Sequence, residues 1–400
     1  MNKHTHEFKD AAVNEMLKRV RELQPLIRQH AAQGESERRV SQVVIDALAE
    51  AGAFRTSVPK RYGGLESSMR TMLDVASIVG EADGGTAWVV TLVNVCNWAA
   101  GLFPVQAQDD IFGANPNARV TGVLAPTATS VKVDGGYRIS GKWFYNSGSS
   151  YADWAMLGIP IVNEAGEPVD QATVMIPRSE LRLEETWFVA GMSSTGSNCI
   201  IAEDVFVPQH RILSMSSALK DDYASEAADG ESFYRSAFVP VLVLVLAGPQ
   251  LGMGKGALDF VLSKAATRPI SYSFITAQSE SVGFQLQIAE ASMLIEGATL
   301  HAYRAADDID LAAREGRKLE LLSRARVRAD AGVAIQNITR AIDILLFAHG
   351  AGGFASASPL QRLWRDSAVA ARHAVILPQI SFEVYGKALL GIKDQITPLI

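Results

Sequence analysis

Apolar residues recur at helical spacing from early in the chain. Val13, Met16, Leu17, Val20 and Leu23 form one such series, and Val43, Val44, Ala47 and Leu48 form another. Pro59, Gly63 and Gly64 interrupt the period. After Asp83-Gly84-Gly85, the segment Thr86 to Phe103 carries no charge, which predicts a helix buried on most of its faces. The period changes near Asn115-Pro116-Asn117. From Val120 to about Val207 the chain consists of short β-rich runs: Tyr137 to Trp143, Trp154 to Pro160, Ala172 to Ile176 and Cys199 to Val207. Asp134-Gly135-Gly136 separates two extended runs as a hairpin turn does. This spacing predicts a small antiparallel sandwich or barrel. Residues 214–230 are polar and read as a surface linker or lid.

Helical period returns after Phe233. Leu286, Ala289, Met293, Leu300 and Tyr303 fall on one face, and Ile335, Ile338, Ile342 and Leu345 repeat the pattern on another helix. Gly350 to Gly353 ends that helix and Pro359 opens the next. Four long antiparallel helices, at about 234–268, 276–313, 317–349 and 359–390, predict an up-down bundle. The expected organisation is mostly α with a central β domain. It has an N-terminal helical domain (1–118), a β sandwich or barrel (119–213), a linker or lid (214–232) and a C-terminal four-helix bundle (233–400).

Composition narrows the function classes. The 400 residues carry 37 Lys+Arg against 43 Asp+Glu, a net charge of −6, so neither a nucleic acid nor an anionic membrane surface is an expected partner. Hydrophobic residues make up 48%, enough for large cores. Cys96 and Cys199 alone support no disulfide framework, and MNKHTHEFKD lacks the apolar run of a signal peptide, so a reducing, cytoplasmic setting is expected. Ser236 to Gly254 is uncharged, but Pro240, Gly248, Pro249 and Gln250 interrupt it, which favours a core helix over a membrane span.

Familiar catalytic signatures are missing. The seven histidines, His4, His6, His30, His210, His301, His349 and His373, form no H-x-x-x-H or H-E-x-x-H pair, and no Glu-x-x-His lies in the terminal bundle. No metal site is expected. Gly-x-Ser-x-Gly is absent, and no G-x-G-x-x-G follows a strand and opens a helix, which disfavours a serine hydrolase and a Rossmann domain.

Several strings, weak singly, are specific in their order and spacing. They are Tyr62-Gly63-Gly64, Gly85-Thr86-Ala87-Trp88, Asp134-Gly135-Gly136-Tyr137-Arg138-Ile139-Ser140-Gly141-Lys142-Trp143, Asn146-Ser147-Gly148, Thr195-Gly196-Ser197, and Leu360-Gln361-Arg362-Leu363-Trp364-Arg365-Asp366 followed by His373. Over essentially its whole length the chain resembles the acyl-CoA dehydrogenase fold. Within that fold it resembles the oxygenase component of two-component flavin monooxygenases, the group that includes p-hydroxyphenylacetate hydroxylase.

The resemblance implies a site. Ser147 matches a serine that hydrogen-bonds the flavin N5 edge, where a hydroxyl can both donate and accept. Gly148 follows it in the turn. Tyr145, expected on the same strand face, matches an aromatic lying along the isoalloxazine ring. Thr195-Gly196-Ser197 offers turn amides to the flavin. Arg268, which also suits a helix C-terminus, matches an arginine that grips flavin phosphate, sometimes across a subunit boundary. Gly350, Gly352 and Gly353 match a turn that approaches a neighbour's cofactor. His373, expected on the last helix, stands where the monooxygenase branch shows a histidine. Beside it, Ala374 replaces the catalytic glutamate of acyl-CoA dehydrogenases, so the usual base for abstracting a proton α to a thioester is missing. Arg365-Asp366 reads most simply as an ion pair that positions the final helix.

The helix after Trp88 carries no histidine where phenol-acid hydroxylases have one or two. Asn94, Cys96, Asn97 and Trp98 are therefore the expected substrate wall, offering an aromatic face and neutral hydrogen bonds to a flat, neutral, indole-like substrate. The implied activity is that of a monooxygenase. Reduced FMN or FAD, delivered by a separate flavin reductase, combines with molecular oxygen to form a flavin hydroperoxide, and one oxygen atom enters an aromatic or heteroaromatic substrate. Ser147 and His373 are the expected catalytic residues, and a homotetramer is the expected assembly. The alternatives are an acyl-CoA dehydrogenase with a displaced base and a non-catalytic oligomeric scaffold of the same fold.

Overall fold

A computed structural model describes residues 10–163, 165–226 and 231–400. His4 and His6 lie outside the described residues, as do residues 227–230 of the expected linker. The N-terminal part comprises α1 (Ala11–Glu22), α2 (Gln24–Glu37), α3 (Gln42–Ala51), α4 (Met69–Gly80), α5 (Gly84–Ala100) and a short α6 (Val105–Gln108). Helix α5 is the uncharged segment expected from the sequence, and nearly all of its residues are buried. Asp83 caps it: its carboxylate accepts from the Thr86 backbone N–H at 2.8 Å and from the Thr86 hydroxyl at 2.7 Å.

Eight strands follow: β1 (Val120–Val123), β2 (Ala128–Val133), β3 (Gly136–Asn146), β4 (Trp154–Val162), β5 (Pro168–Pro177), β6 (Arg182–Glu184), β7 (Asn198–Pro208) and β8 (Ile212–Ser214). They form two four-stranded sheets, ordered β1-β4-β5-β8 and β2-β3-β7-β6. The sandwich agrees with the sequence reading except that β1 pairs with β4 in parallel. Tyr137, Ile139, Trp143, Leu157, Ile159, Val174, Ile176 and Ile200 fill the space between the sheets. The Trp143 indole N–H donates across this core to the Gly158 carbonyl at 2.7 Å.

The polar stretch after β8 is no free lid over its described length. It holds the short α7 (Met215–Ala218), Asp221 accepts from the Phe238 N–H at 2.9 Å, and Tyr223 donates to the Ser236 carbonyl at 2.6 Å.

The C-terminal part comprises α8 (Phe238–Leu244), α9 (Ala247–Ala265), α10 (Val282–Arg314), α11 (Leu321–His349), α12 (Pro359–Ala370) and α13 (Pro378–Leu389). Two of the four expected helices are therefore broken. Pro249 removes the N–H that would bond the Val245 carbonyl, so α8 stops and α9 starts around it. Pro378 forces extended backbone on Leu377 and opens α13. As a result His373 stands in the break between α12 and α13, as the cap of a single 3-10 turn, and not on a continuous helix.

Helices α8 to α9, over Phe238–Ala265, are long and apolar enough to cross a membrane, but 89% of that apolar window is buried inside the protein, as a core helix would be. On α10, the buried face belongs to Phe284, Ala291, Ile295, Ala298, Ala302 and Ile309. Most of the series singled out in the sequence turns outward instead, with Met293 70% and Leu300 71% exposed, while Tyr303 packs against the core and donates to Asp74. The corresponding series on α11, Ile335, Ile338, Ile342 and Leu345, is buried as expected.

Candidate active site

Strand β3 ends in an irregularity between Trp143 and Asn146 that separates two expected neighbours. Tyr145 has φ 69° and swings outward to 71% exposure, where it meets Trp187 edge-on with ring centroids 5.9 Å apart. Ser147 turns inward and is buried. The two residues thus do not share a strand face, because the bulge inserts a reversal of direction between them.

Gly148 is favoured by its backbone conformation and, more weakly, by the room at α5. Its φ is 74°, and a Cβ there would lie 3.3 Å from Val89 Cγ1 of α5. Its N–H donates to the Thr195 carbonyl at 2.8 Å, tying the Ser147 turn to the 193–195 turn that precedes β7.

A chain of hydroxyl groups joins these turns. Trp88 Nε1–H of α5 donates to Ser147 Oγ at 3.1 Å, Ser147 and Ser197 Oγ are 2.8 Å apart, Ser197 and Thr195 hydroxyls are 2.7 Å apart, and Thr195 donates to the Met192 carbonyl at 2.8 Å. Its polarity follows from its ends. A carbonyl only accepts, so the Thr195 proton points at Met192. Ser197 must then donate to Thr195, and Ser147 must donate to Ser197. The sequence reading gave Ser147 a hydroxyl free to donate or accept. The folded chain commits its proton and leaves only a lone pair for a ligand.

His373 lies beside this chain, with its ring 5.8 Å from that of Trp88. Burial pushes its pKa below the ordinary histidine value, so the imidazole is neutral at neutral pH. The Val375 N–H points at Nδ1 from 3.4 Å, which assigns the proton to Nε2. Nε2–H is therefore the donor that His373 offers. Val89, Val93, Met192, the neutral hydroxyls and this neutral imidazole give the neighbourhood little charge.

A buried ionic cluster fixes the far end of the chain. The Met192 N–H donates to Asp366 Oδ1 of α12 at 2.5 Å, and Arg362 Nε lies 3.5 Å from Asp83 Oδ1. Burial, and then the neighbouring Asp83, raise the pKa of Asp366 well above the carboxylate range. Met192 itself sits at φ 58°, a costly conformation for a side-chain-bearing residue, and its carbonyl also accepts from Trp187 Nε1 at 2.8 Å. Arg365 and Asp366 do not pair with each other. Arg365 turns outward to Glu35 at 2.5 Å and to Gln361 at 2.7 Å, because adjacent helical residues point in different directions.

Arg268, Gly352 and Gly353 meet in a second cluster. A Cβ on Gly352 would lie 2.7 Å from Arg268 Nη2, so only glycine lets the guanidinium rest there. The buried His349 has no hydrogen-bond partner at Nδ1, and its pKa is lowered by burial and by Arg268 and Lys264. Gln278 is built in: its N–H donates to the Arg268 carbonyl at 2.7 Å and its side chain to the Ala348 carbonyl at 3.0 Å. Arg268 has no ion-pair partner among the described residues. Gly352 and Gly353 precede α12 and His373 follows it, a helix of 12 residues that spans about 18 Å.

The residues expected to form the substrate wall are placed in the core. Asn94 donates to the Ala53 and Val90 carbonyls at 2.7 and 2.9 Å and accepts from Thr56 at 2.5 Å. Asn97 donates to the Phe54 and Ala118 carbonyls at 3.0 and 3.2 Å and accepts from the Val120 N–H at 3.1 Å. Trp98 donates to the Phe233 carbonyl at 3.1 Å, and the Cys96 thiol is pushed up to about 12 by burial. Both amides hold α5 against the backbone around it, and every side-chain N–H of the two is already donated inside the core.

These features fit a reduced flavin. An acceptor-only Ser147 suits a ring N–H, and an unpaired arginine over a glycine turn suits a phosphate. Residues 7–109 match the N-terminal domain of acyl-CoA dehydrogenase and residues 244–378 its C-terminal domain. The oxygenase subunit HsaA of a flavin-dependent monooxygenase from Rhodococcus jostii (strain RHA1) is 32% identical over 94% of this chain and 98% of its own. The oxygenase component of an FADH(2)-dependent resorcinol hydroxylase from Rhizobium sp. (strain MTP-10005) is 30% identical over 94% of each chain. The solved structure of XiaF from Streptomyces sp., in complex with FADH2 and glycerol, superposes with a TM-score of 0.90 at 36% identity, covering 96% of this chain and 97% of that one.

The chain belongs to the flavin-dependent monooxygenases of the acyl-CoA dehydrogenase fold, as the oxygenase component of a two-component system. It is an enzyme that uses reduced flavin and oxygen to hydroxylate its substrate. The fold adds Trp88 and Met192 to this cluster, and it gives Ser197 a hydroxyl contact and Asp366 a backbone contact where the sequence suggests only turn amides and an ion pair. Trp88, Ser197 and Asp366 lay within quoted strings, but only the fold gives them a direction.

Proposed function

We propose that Ser147 meets the N5 edge of the flavin, that Trp88 and the hydroxyl chain hold Ser147 in place, and that His373 Nε2–H faces the oxygen being transferred. Reduced flavin supplies the two electrons with which O2 gives one atom to the substrate and the other to water. The observation that carries this reading is the convergence of Trp88, Ser147 and His373 from three different segments on one weakly charged neighbourhood. His373, neutral with its proton on Nε2, can donate a hydrogen bond to a developing oxyanion or relay a proton. Arg268 with Gly352 and Gly353 would take the flavin phosphate. Their place before α12, with His373 after it, suits a contribution to the flavin of a partner subunit. The outward apolar series on α10 supports a homotetramer, because Leu286, Met293 and Leu300 recur seven residues apart along one exposed face. A flavin reductase supplies the cofactor, and the setting is soluble and cytoplasmic.

The substrate reading is a neutral, flat aromatic such as an indole. Val89, Val93 and the neutral imidazole of His373 favour an apolar ring, and Arg362, the buried cation beside the hydroxyl chain, is already paired with Asp83. A comparison of indole with an indole carboxylate, supplied with reduced flavin and 18O2, tests it. The neutral ring is expected to acquire one 18O with kcat/KM about a hundredfold higher, since burying an unpaired charge costs several kcal/mol. Preferred turnover of the carboxylate would sink the substrate assignment.

A further inference from the structure

Ser147, Ser197, Thr195 and the Met192 carbonyl enclose three oxygen–oxygen gaps of 2.8, 2.7 and 2.8 Å. The three hydroxyls bring three protons, one for each gap. Trp88 Nε1–H already points at Ser147 and occupies one of its lone pairs. If Ser147 turned its proton outward to a ligand, one gap would be left with two buried oxygens in van der Waals contact and no proton between them. Reversing Ser197 only moves the defect to the Thr195 gap. The Met192 carbonyl cannot supply a proton, and its peptide is held on the other side by Asp366.

We propose that Ser197, Thr195 and the Met192 carbonyl act as specificity determinants: they make Ser147 an acceptor-only group, so that the site takes reduced flavin and rejects oxidised flavin. The chemistry is direct. Position N5 carries an N–H in reduced flavin and a bare lone pair in oxidised flavin. The first complements the remaining lone pair of Ser147, and the second meets it lone pair to lone pair. Discrimination of this kind lets the protein draw the working form of the cofactor from a mixed pool and release the exhausted form. The inference rests on the placement of flavin N5 at Ser147.

The polarity can be broken without touching Ser147. In Ser197→Ala its proton loses its internal acceptor. In Thr195→Val, Ser197 is free to donate back to Ser147. Both variants release the Ser147 proton for a bare N5. Binding is read by the quenching of oxidised FMN and FAD fluorescence, and by anaerobic titration with dithionite-reduced FMN and FAD. Oxidised flavin is expected to bind about tenfold tighter to both variants than to the native protein, the worth of one neutral hydrogen bond freed from competition. Reduced flavin is expected to stay within about threefold, and Thr195→Ser to restore the native ratio.

A gain of affinity is a result that damage to the fold does not produce. Oxidised-flavin affinity that is unchanged, or that falls together with reduced-flavin affinity, overturns the proposal. Ser197→Ala removes a single oxygen atom and decides the matter if Thr195→Val does not fold. The placement of N5 has its own test: in Ser147→Ala, unaltered affinity for reduced flavin refutes the placement, whereas an unaltered oxidised-to-reduced ratio in Ser197→Ala refutes the polarity.

Discussion

Replacing His373 with alanine is expected to lower the rate of product formation about a hundredfold or more, the usual worth of a positioned general acid or base. Reduced flavin should still bind and still be oxidised by O2, with the electrons ending in hydrogen peroxide. The ratio of product to oxygen consumed, measured with catalase present and absent, separates these fates. The pH profile carries the same assignment. Burial lowers the pKa of His373, so the ring stays neutral down through its ordinary value of about 6.5 and protonates only below it. Activity that depends on the neutral ring is therefore expected to hold above that value and to fall on the acid side. That acid limb should disappear in His373→Gln. A profile identical to the native one in that variant would remove His373 from the chemistry.

Replacing Arg268 with alanine is expected to weaken reduced-flavin binding by about 10- to 100-fold, the loss of charge-assisted hydrogen bonds to a phosphate. The product-to-oxygen ratio at saturating flavin should be unchanged, because Arg268 rests against Gly352, which precedes α12, whereas His373 follows that helix. Arg268→Lys should recover only part of the affinity, since an ammonium cannot bind in the bidentate manner of a guanidinium. The native affinity should also fall with added salt. Full affinity in the alanine variant would show that the guanidinium over Gly352 serves another purpose.

Much of this architecture is legible in the sequence because it rests on local signals. The uncharged run of α5, the hairpin at Asp134-Gly135 and the turn at Ser147-Gly148 each follow from residues close in the chain. What escaped depends on direction. Tyr145 and Ser147 look alike to a period of two, and only the β-bulge separates them. Met293 and Leu300 have the period of a core face, but a long helix can carry two apolar faces, and the pattern does not say which one the rest of the chain covers. Arg365-Asp366 reads as a pair because the residues adjoin, while a helix turns adjacent side chains about 100° apart. Asn94 and Asn97 are polar groups in an apolar helix, which suggests a ligand until their backbone partners are known. The break that frees His373 was available from Pro378 alone.

The most direct measurement is the crystal structure of the protein soaked anaerobically with dithionite-reduced flavin. The N5 edge is expected within hydrogen-bond distance of Ser147 Oγ, the ring beside Trp88 and His373, and the phosphate against Arg268 of a neighbouring subunit. A flavin ordered elsewhere, with the Trp88–Ser147–Ser197–Thr195 chain untouched by it, would refute Ser147 as the N5 partner.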